Sequence, residues 1–141
     1  MKALALVLLA VVIVAFLGLS LKSCIESLFQ RTDQARSFAL TVLPKLASHW
    51  SPADIAQYST PDYRRELLLT GEKTFATYSI LGDLKSASPC GPASASSDNG
   101  AISAELTCDE EFSHGNAAVN LSLQLLGSDQ WAISGLTITL R

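Results

Sequence analysis

At Gly82 the hydrophobic rhythm of this chain changes. Before it, apolar residues recur every three or four positions, the spacing of one helix face; after it they alternate, the spacing of one sheet face. Ala35, Phe38, Ala39, Val42, Leu46 and Trp50 form one helical stripe, so residues 33–49 read as an amphipathic helix started by Asp33. Pro44 lies inside it and predicts a kink near Leu40 to Leu43, or a break into two pieces. Ser51-Pro52-Ala53-Asp54 and Thr60-Pro61-Asp62 each combine a capping hydroxyl, a proline at the first helical position and an early acid. They predict short helices over 52–58 and 61–69. Another helix follows Thr70-Gly71, turns Phe75, Tyr78 and Leu81 inward, and ends at Gly82.

Beyond Gly82, Ile102, Ala104, Leu106 and Cys108 share one strand face, and Val119, Leu121, Leu123 and Leu125 share another. The last strand starts with Trp131 and Ile133 inward, then shifts phase so that Leu136, Ile138 and Leu140 share a face. Gly135 sits at the shift and predicts a bulge or a sharp bend. Turn signals fall at Ser113-His114-Gly115-Asn116 and Gly127-Ser128-Asp129-Gln130. Helices followed by an antiparallel meander define an α+β chain: three or four helices packed across one face of a sheet of four strands, five if Ser94 to Ser97 joins the first hairpin.

A different signal lies at the start. Residues 3–21 contain no charge, and as a helix they reach about 28 Å, close to the roughly 30 Å hydrocarbon core of a bilayer. The run exceeds the apolar part of an ordinary signal peptide and has a poor cleavage site, so it reads as a retained signal anchor, with cleavage after Ser20 or lipidation of Cys24 as alternatives. Met1 and Lys2 hold the short end in the cytoplasm. Expected organisation is therefore an anchor and juxtamembrane segment over 1–29 and an exported domain over 30–141, at a bacterial inner membrane with that domain periplasmic. The membrane itself, through residues 3–21, is the first expected partner.

Charge is uneven along the exported part. Six acids and no Lys or Arg occur from Ser86 to Leu140. A nucleic acid partner needs a clustered basic face, which this half does not offer. Cys90 and Cys108 bracket the turn Asp98-Asn99-Gly100 and fall one residue out of hairpin register. With a small bulge they face each other, and in an oxidising compartment they form a cross-strand disulfide.

Motifs of nucleophile elbows, phosphate loops, zinc proteases and dithiol oxidoreductases are absent from the sequence, and no catalytic residue, metal site or cofactor is expected. His49 reads as a helix-end residue and His114 as a turn residue. Asp109-Glu110-Glu111 reads as a solvated acidic edge, because neighbouring strand residues point to opposite faces. Trp50, Tyr58, Tyr63, Phe75 and Tyr78 are the candidates to line a pocket, with core packing the plainer use. Arg64 and Arg65 are the candidates to contact an acidic partner or lipid head group.

The segments "FALTVLPKLASHWSPADIAQYSTPDYRREL" and "YSILGDLKS", and the run from Asn99 to Leu140 with Trp131, Ile133 and Gly135 in a Trp-x-Ile-x-Gly pattern, resemble the nuclear transport factor 2-like superfamily of α+β cones. That resemblance covers residues 32–141. It implies a curved sheet around a helix, frequent dimerisation and a pocket at the open end. Members include isomerases, dehydratases, small-ligand binders and periplasmic domains of single-span subunits in type IV secretion machines. The last group shares the single N-terminal span, so the expectation is a non-enzymatic interaction or assembly module of the envelope. Binding of a small apolar ligand is the alternative, and an isomerase- or dehydratase-like enzyme using His49, or Asp62 with a tyrosine, comes third.

Overall fold

The computed structural model of the chain describes residues 26, 27, 29–91 and 93–141. The expected membrane helix at 3–21, the cleavage site and Cys24 lie outside the described residues. Among the described residues no helix is long and apolar enough to cross a membrane. Two compact units divide between Arg31 and Thr32. Of the first, the described residues are helical; the second, Thr32–Arg141, is an α+β unit with its helices on an open five-stranded antiparallel sheet.

Helix α1 occupies residues 32–47 of this unit. It buries Ala35, Ala39, Val42 and Leu46 of the expected stripe, adds Leu43 and Ala47, and leaves Phe38 partly buried. The helix is unbroken at Pro44. The carbonyl deprived of its donor belongs to Leu40, and both residues are on the exposed side, where water replaces the lost bond. Trp50 ends the segment in a left-handed conformation at φ 47°, its N–H donating to Leu46 O at 2.9 Å. Its buried ring lies 6.0 Å from that of Phe112, which repays an unfavourable backbone angle with aromatic packing.

Helix α2 spans Pro52–Gln57 and α3 spans Pro61–Glu66. Each has the expected cap: Ser51 Oγ accepts from Asp54 N–H, and Thr60 Oγ1 from Tyr63 N–H. The second is shorter than the expected 61–69. Leu67–Gly71 widens into a π-helical turn before α4, Glu72–Ala76, and a closing 3-10 turn, Thr77–Leu81. Gly82 then takes φ 73° and ψ −155°, which L side chains rarely adopt.

The strands are β1 Leu84–Ala87, β2 Ser94–Asp98, β3 Ala101–Phe112, β4 Gly115–Leu126 and β5 Gln130–Leu140. The order is β1-β3-β4-β5, with β2 also on β3. Thus β2 pairs with the first half of β3 and β1 with its end. Asn99 and Gly100, at φ 48° and 82°, form the two-residue turn between β2 and β3. The fifth strand, conditional in the sequence, is present.

Just upstream of β2 the register on β3 slips by one residue, because Ser94 pairs with Glu105 whereas Gly91 N–H donates to Thr107 O at 2.7 Å. That slip sets Cys90 opposite Cys108, and the disulfide is formed. A second irregularity matches its expectation: Ser122 pairs with Gly135 but Leu123 with Ile133, leaving Ser134 as the extra residue of a bulge. The inward faces of β3, β4 and β5 meet α1 in one core containing Leu46, Ile55, Phe112, Val119, Leu123 and Ile133, all at 2% exposure or less. Burying each such side chain contributes about 1.5–3 kcal/mol. Leu140, expected on this face, is 48% exposed at the sheet corner.

Candidate functional site

Two of the backbone irregularities lie on opposite walls of one cleft of about 310 Å³: the π turn on the helical side and the β5 bulge on the sheet side. Both features locally re-aim side chains and often mark functional positions. The π turn begins a run of three leucines that one helix face cannot bury together. Leu67 is buried, while Leu68 and Leu69 are 65% and 78% exposed. Gly71 follows on the inner side, where an added Cβ would stand 3.0 Å from Pro52, so the turn is pressed closely against the start of α2.

Tyr63 ties the walls together. Its hydroxyl accepts from Leu136 N–H at 3.1 Å and donates to Leu136 O at 3.4 Å, immediately after the bulge. Burial pushes the Tyr63 phenol up from its ordinary range, against the Leu136 backbone bond, with the Glu66 carboxylate adding to the rise. Just upstream, Thr60 N–H donates to Ile133 O at 2.8 Å and Ile133 N–H to Tyr58 O at 2.7 Å, so the entry to α3 covers this part of the β5 edge. The cleft is mixed in character. Leu67 and Phe75 supply apolar wall, and Glu66, Thr70, Thr74, Ser134 and Thr137 supply oxygen.

Of the five expected pocket residues, Tyr63 and Phe75 line this cleft. Tyr78 lies behind it, edge-on to Phe75 with ring centres 5.6 Å apart. Tyr58 lines a separate recess of about 350 Å³ with Phe38 and Trp131, and Trp50 is core. Arg64 also borders that recess, but its Nε–H donates to Ala56 O at 2.8 Å, closing the end of α2. Arg65 is exposed, 4.0 Å from Asp62. A wider recess of about 710 Å³ lies on the other side of the π turn, with Leu68, Leu69 and Pro52 in its lining.

The groups named for acid-base chemistry do not converge. His49 is exposed, with Nδ1 2.8 Å from Ser48 Oγ, and the Asp62 side chain is 95% exposed. His114 sits exposed in the β3–β4 turn, with its N–H donating to Leu81 O. Among the described residues no group of three His, Cys, Asp or Glu side chains is placed to hold a metal ion.

The acidic run requires a correction. It lies on β3, which is flanked by β4 on one side and by β1 and β2 on the other, so it is not a sheet edge. Asp109 and Glu111 do face solvent, and Asp109 accepts from Arg141 Nη1 at 2.7 Å. Glu110 points inward in step with Cys108 and Phe112 and is only 3% exposed. Its Oε2 has no hydrogen-bond partner among the described residues. Desolvation raises its pKa to about 7, opposed by a backbone bond from Ser88 and assisted by the charge of Asp109. Alternation alone places Glu110 inside; the chemistry of three successive acids masked that signal.

Compared with protein family models, curated proteins and solved structures, the chain gives no match.

Proposed function

We propose that this is a single-pass membrane-anchored protein whose exported domain, of the nuclear transport factor 2-like kind, is a non-enzymatic interaction or assembly module of the bacterial cell envelope. The observation that carries the reading is the uncharged run at 3–21, long enough to span, followed by a separately packed α+β unit from Thr32 to Arg141. Export suits the disulfide, which needs an oxidising compartment. A second copy or another envelope protein is the partner class. Leu68 and Leu69, exposed beside the cleft, give it an apolar contact.

The anchor is tested by fractionation of native membranes and N-terminal sequencing of the mature chain. Retention of the first residues in an alkali-resistant membrane fraction is expected; a soluble chain beginning near Leu21 overturns it. The module is tested by photocrosslinking from Leu69. Adducts with a second copy or an envelope protein are expected, and their absence in intact cells overturns it.

A second reading, a carrier of a small apolar molecule, draws on the cleft of about 310 Å³, a volume at the lower end for ligand sites. A cell extract passed over the protein should then leave a bound compound detectable by native mass spectrometry.

A further inference from the structure

The hydrogen-bonding groups in the Tyr63 cleft are unbalanced. Tyr63 has committed its hydroxyl proton to Leu136 O and a lone pair to Leu136 N–H, so it is occupied in both senses. Thr70 spends its proton on Glu66 O at 3.0 Å, and Thr74 spends its own on Thr70 O at 3.4 Å. Each threonine hydroxyl therefore presents only lone pairs, and the Glu66 carboxylate is an acceptor by nature. Ser134 and Thr137 hydroxyls serve in either sense and restrict nothing.

No cation among the described residues is paired directly with the carboxylate of the cleft. Among the described residues Glu66 has no ion-pair partner, Arg64 donates to Ala56 O, Arg65 lies by Asp62, and Lys73 lines the recess on the far side of the π turn. The sheet wall brings no base, since Ser86 to Leu140 contains six acids and no Lys or Arg. The Glu66 carboxylate is therefore the one charge among the cleft's lining residues, and it is the group that would attract a cation.

We infer that the cleft between the π turn and the β5 bulge binds an organic cation, an ammonium or guanidinium group, through the Glu66 carboxylate and the hydroxyl oxygens of Thr70 and Thr74. The inference deepens the interaction-module reading and rests on it, naming the chemical group that the module grips. Two sources present this group: the end of a lysine or arginine side chain on a partner protein, and a free small amine. The aliphatic stem of either lies against Leu67 and Phe75, as long cationic side chains do on apolar surface.

The test is an amide NMR titration of the full chain in a non-ionic maltoside detergent. The probes are butylammonium, N-acetylarginine amide and N-acetyllysine amide, with N-acetylnorleucine amide as the uncharged control. Saturable shifts confined to residues 66–75 and 134–137 are expected with the cations, with a dissociation constant of about 1–10 mM, the scale of one charge-assisted contact on a small ligand. Glu66→Gln should weaken binding about tenfold, the value of a hydrogen bond to an ionised group, while its spectrum stays folded because the residue is exposed. Thr70→Val serves as the second variant and should weaken binding by a smaller factor. Tighter binding of the capped amino acids than of butylammonium assigns the site to a side chain, and the reverse order assigns it to a free amine. Equal response to the norleucine control, no saturation by any cation, or unchanged affinity in Glu66→Gln overturns the inference. Crosslinking from Leu69 is scored separately: adducts without cation binding reject this cleft chemistry alone, and loss of adducts rejects the module.

Discussion

Replacing Glu110 by Gln should change how the stability of the domain depends on pH. In the folded chain the Glu110 carboxyl has its pKa raised from 4.5 to about 7, chiefly because burial strips water from the ion. The folded state therefore holds a proton that the unfolded chain has released throughout the interval between those values. Stability is then lost as pH rises through it: the contribution is fully favourable below about pH 4.5 and most adverse above about pH 7. Each pKa unit corresponds to about 1.4 kcal/mol, so ionised Glu110 costs up to about 3 kcal/mol above neutrality. That is a ceiling, because water entering a recess at the sheet surface reduces the penalty.

Glutamine keeps the shape and a carbonyl acceptor for Ser88 N–H but cannot ionise. The assay is chemical denaturation of wild type and Glu110→Gln at about pH 5 and about pH 8, comparing the difference between the two proteins at each pH. Subtraction cancels the groups that do not interact with position 110, and the charge of Asp109, which is paired with Arg141, is part of the effect being read. Near pH 5 the proteins should be close in stability; at pH 8 the variant should be the more stable by about 2–3 kcal/mol, or roughly 10 °C in melting temperature for a domain of this size. A difference that is the same at both pH values, or a variant less stable at pH 8, refutes the reasoning, since it means that Glu110 is ionised and satisfied in the folded state.

Reduction of the disulfide, or paired Cys90→Ser and Cys108→Ser replacement, should cost about 3 kcal/mol in a denaturant titration, the loop-closure value for a bridge across a sequence separation of 18 residues. Gly82→Ala should destabilise by about 2–3 kcal/mol, because φ 73° disfavours a side chain and its Cβ would collide with Ser113 Oγ and the His114 ring; a thermal melt reads the loss. Tyr63→Phe removes both bonds to Leu136 and should cost about 1–2 kcal/mol, with faster hydrogen exchange concentrated at the Leu136 amide. Leu69→Ser, at a side chain 78% exposed, should change stability by less than about 0.5 kcal/mol yet diminish crosslinking from a probe placed at Leu68.

Much of the architecture is written in local pattern. Ser51-Pro52 and Thr60-Pro61 announce two helix starts because a capping hydroxyl and a proline satisfy backbone needs within one turn. The phase change around Gly135 announces the bulge because alternation has no other way to swap faces. The Cys90–Cys108 pairing is legible from the Asn99-Gly100 turn and one register slip. Less legible is any feature set by contacts distant in sequence. Nothing near Leu67 specifies a π turn, whose position follows from Gly71 packing on Pro52 while only one of three leucines finds room inside. Glu66, Thr70 and Thr74 look like ordinary surface residues until that turn faces Ser134 and Thr137, more than sixty positions away in the chain.

The same distinction separates the aromatic candidates, two of which line the cleft, from its oxygen-bearing residues, which no local pattern singles out. Aromatic side chains gain most by burial, and here Trp50 is spent on Phe112 and Tyr78 on Phe75. Tyr63 and Phe75 do line the cleft, and the use of Tyr63 is structural: the hydroxyl completes the backbone bonding at Leu136 that the bulge and the strand edge leave open. Once that edge is satisfied, the groups still offering hydrogen bonds into the cleft are Glu66, two threonines whose protons are spoken for, and the Ser134 and Thr137 hydroxyls. A cleft whose committed groups only accept selects for donors, and the Glu66 carboxylate, which has no ion-pair partner among the described residues, extends that selection to positive charge. Specificity here follows from which protons the fold has already spent, a property that no single residue type reveals.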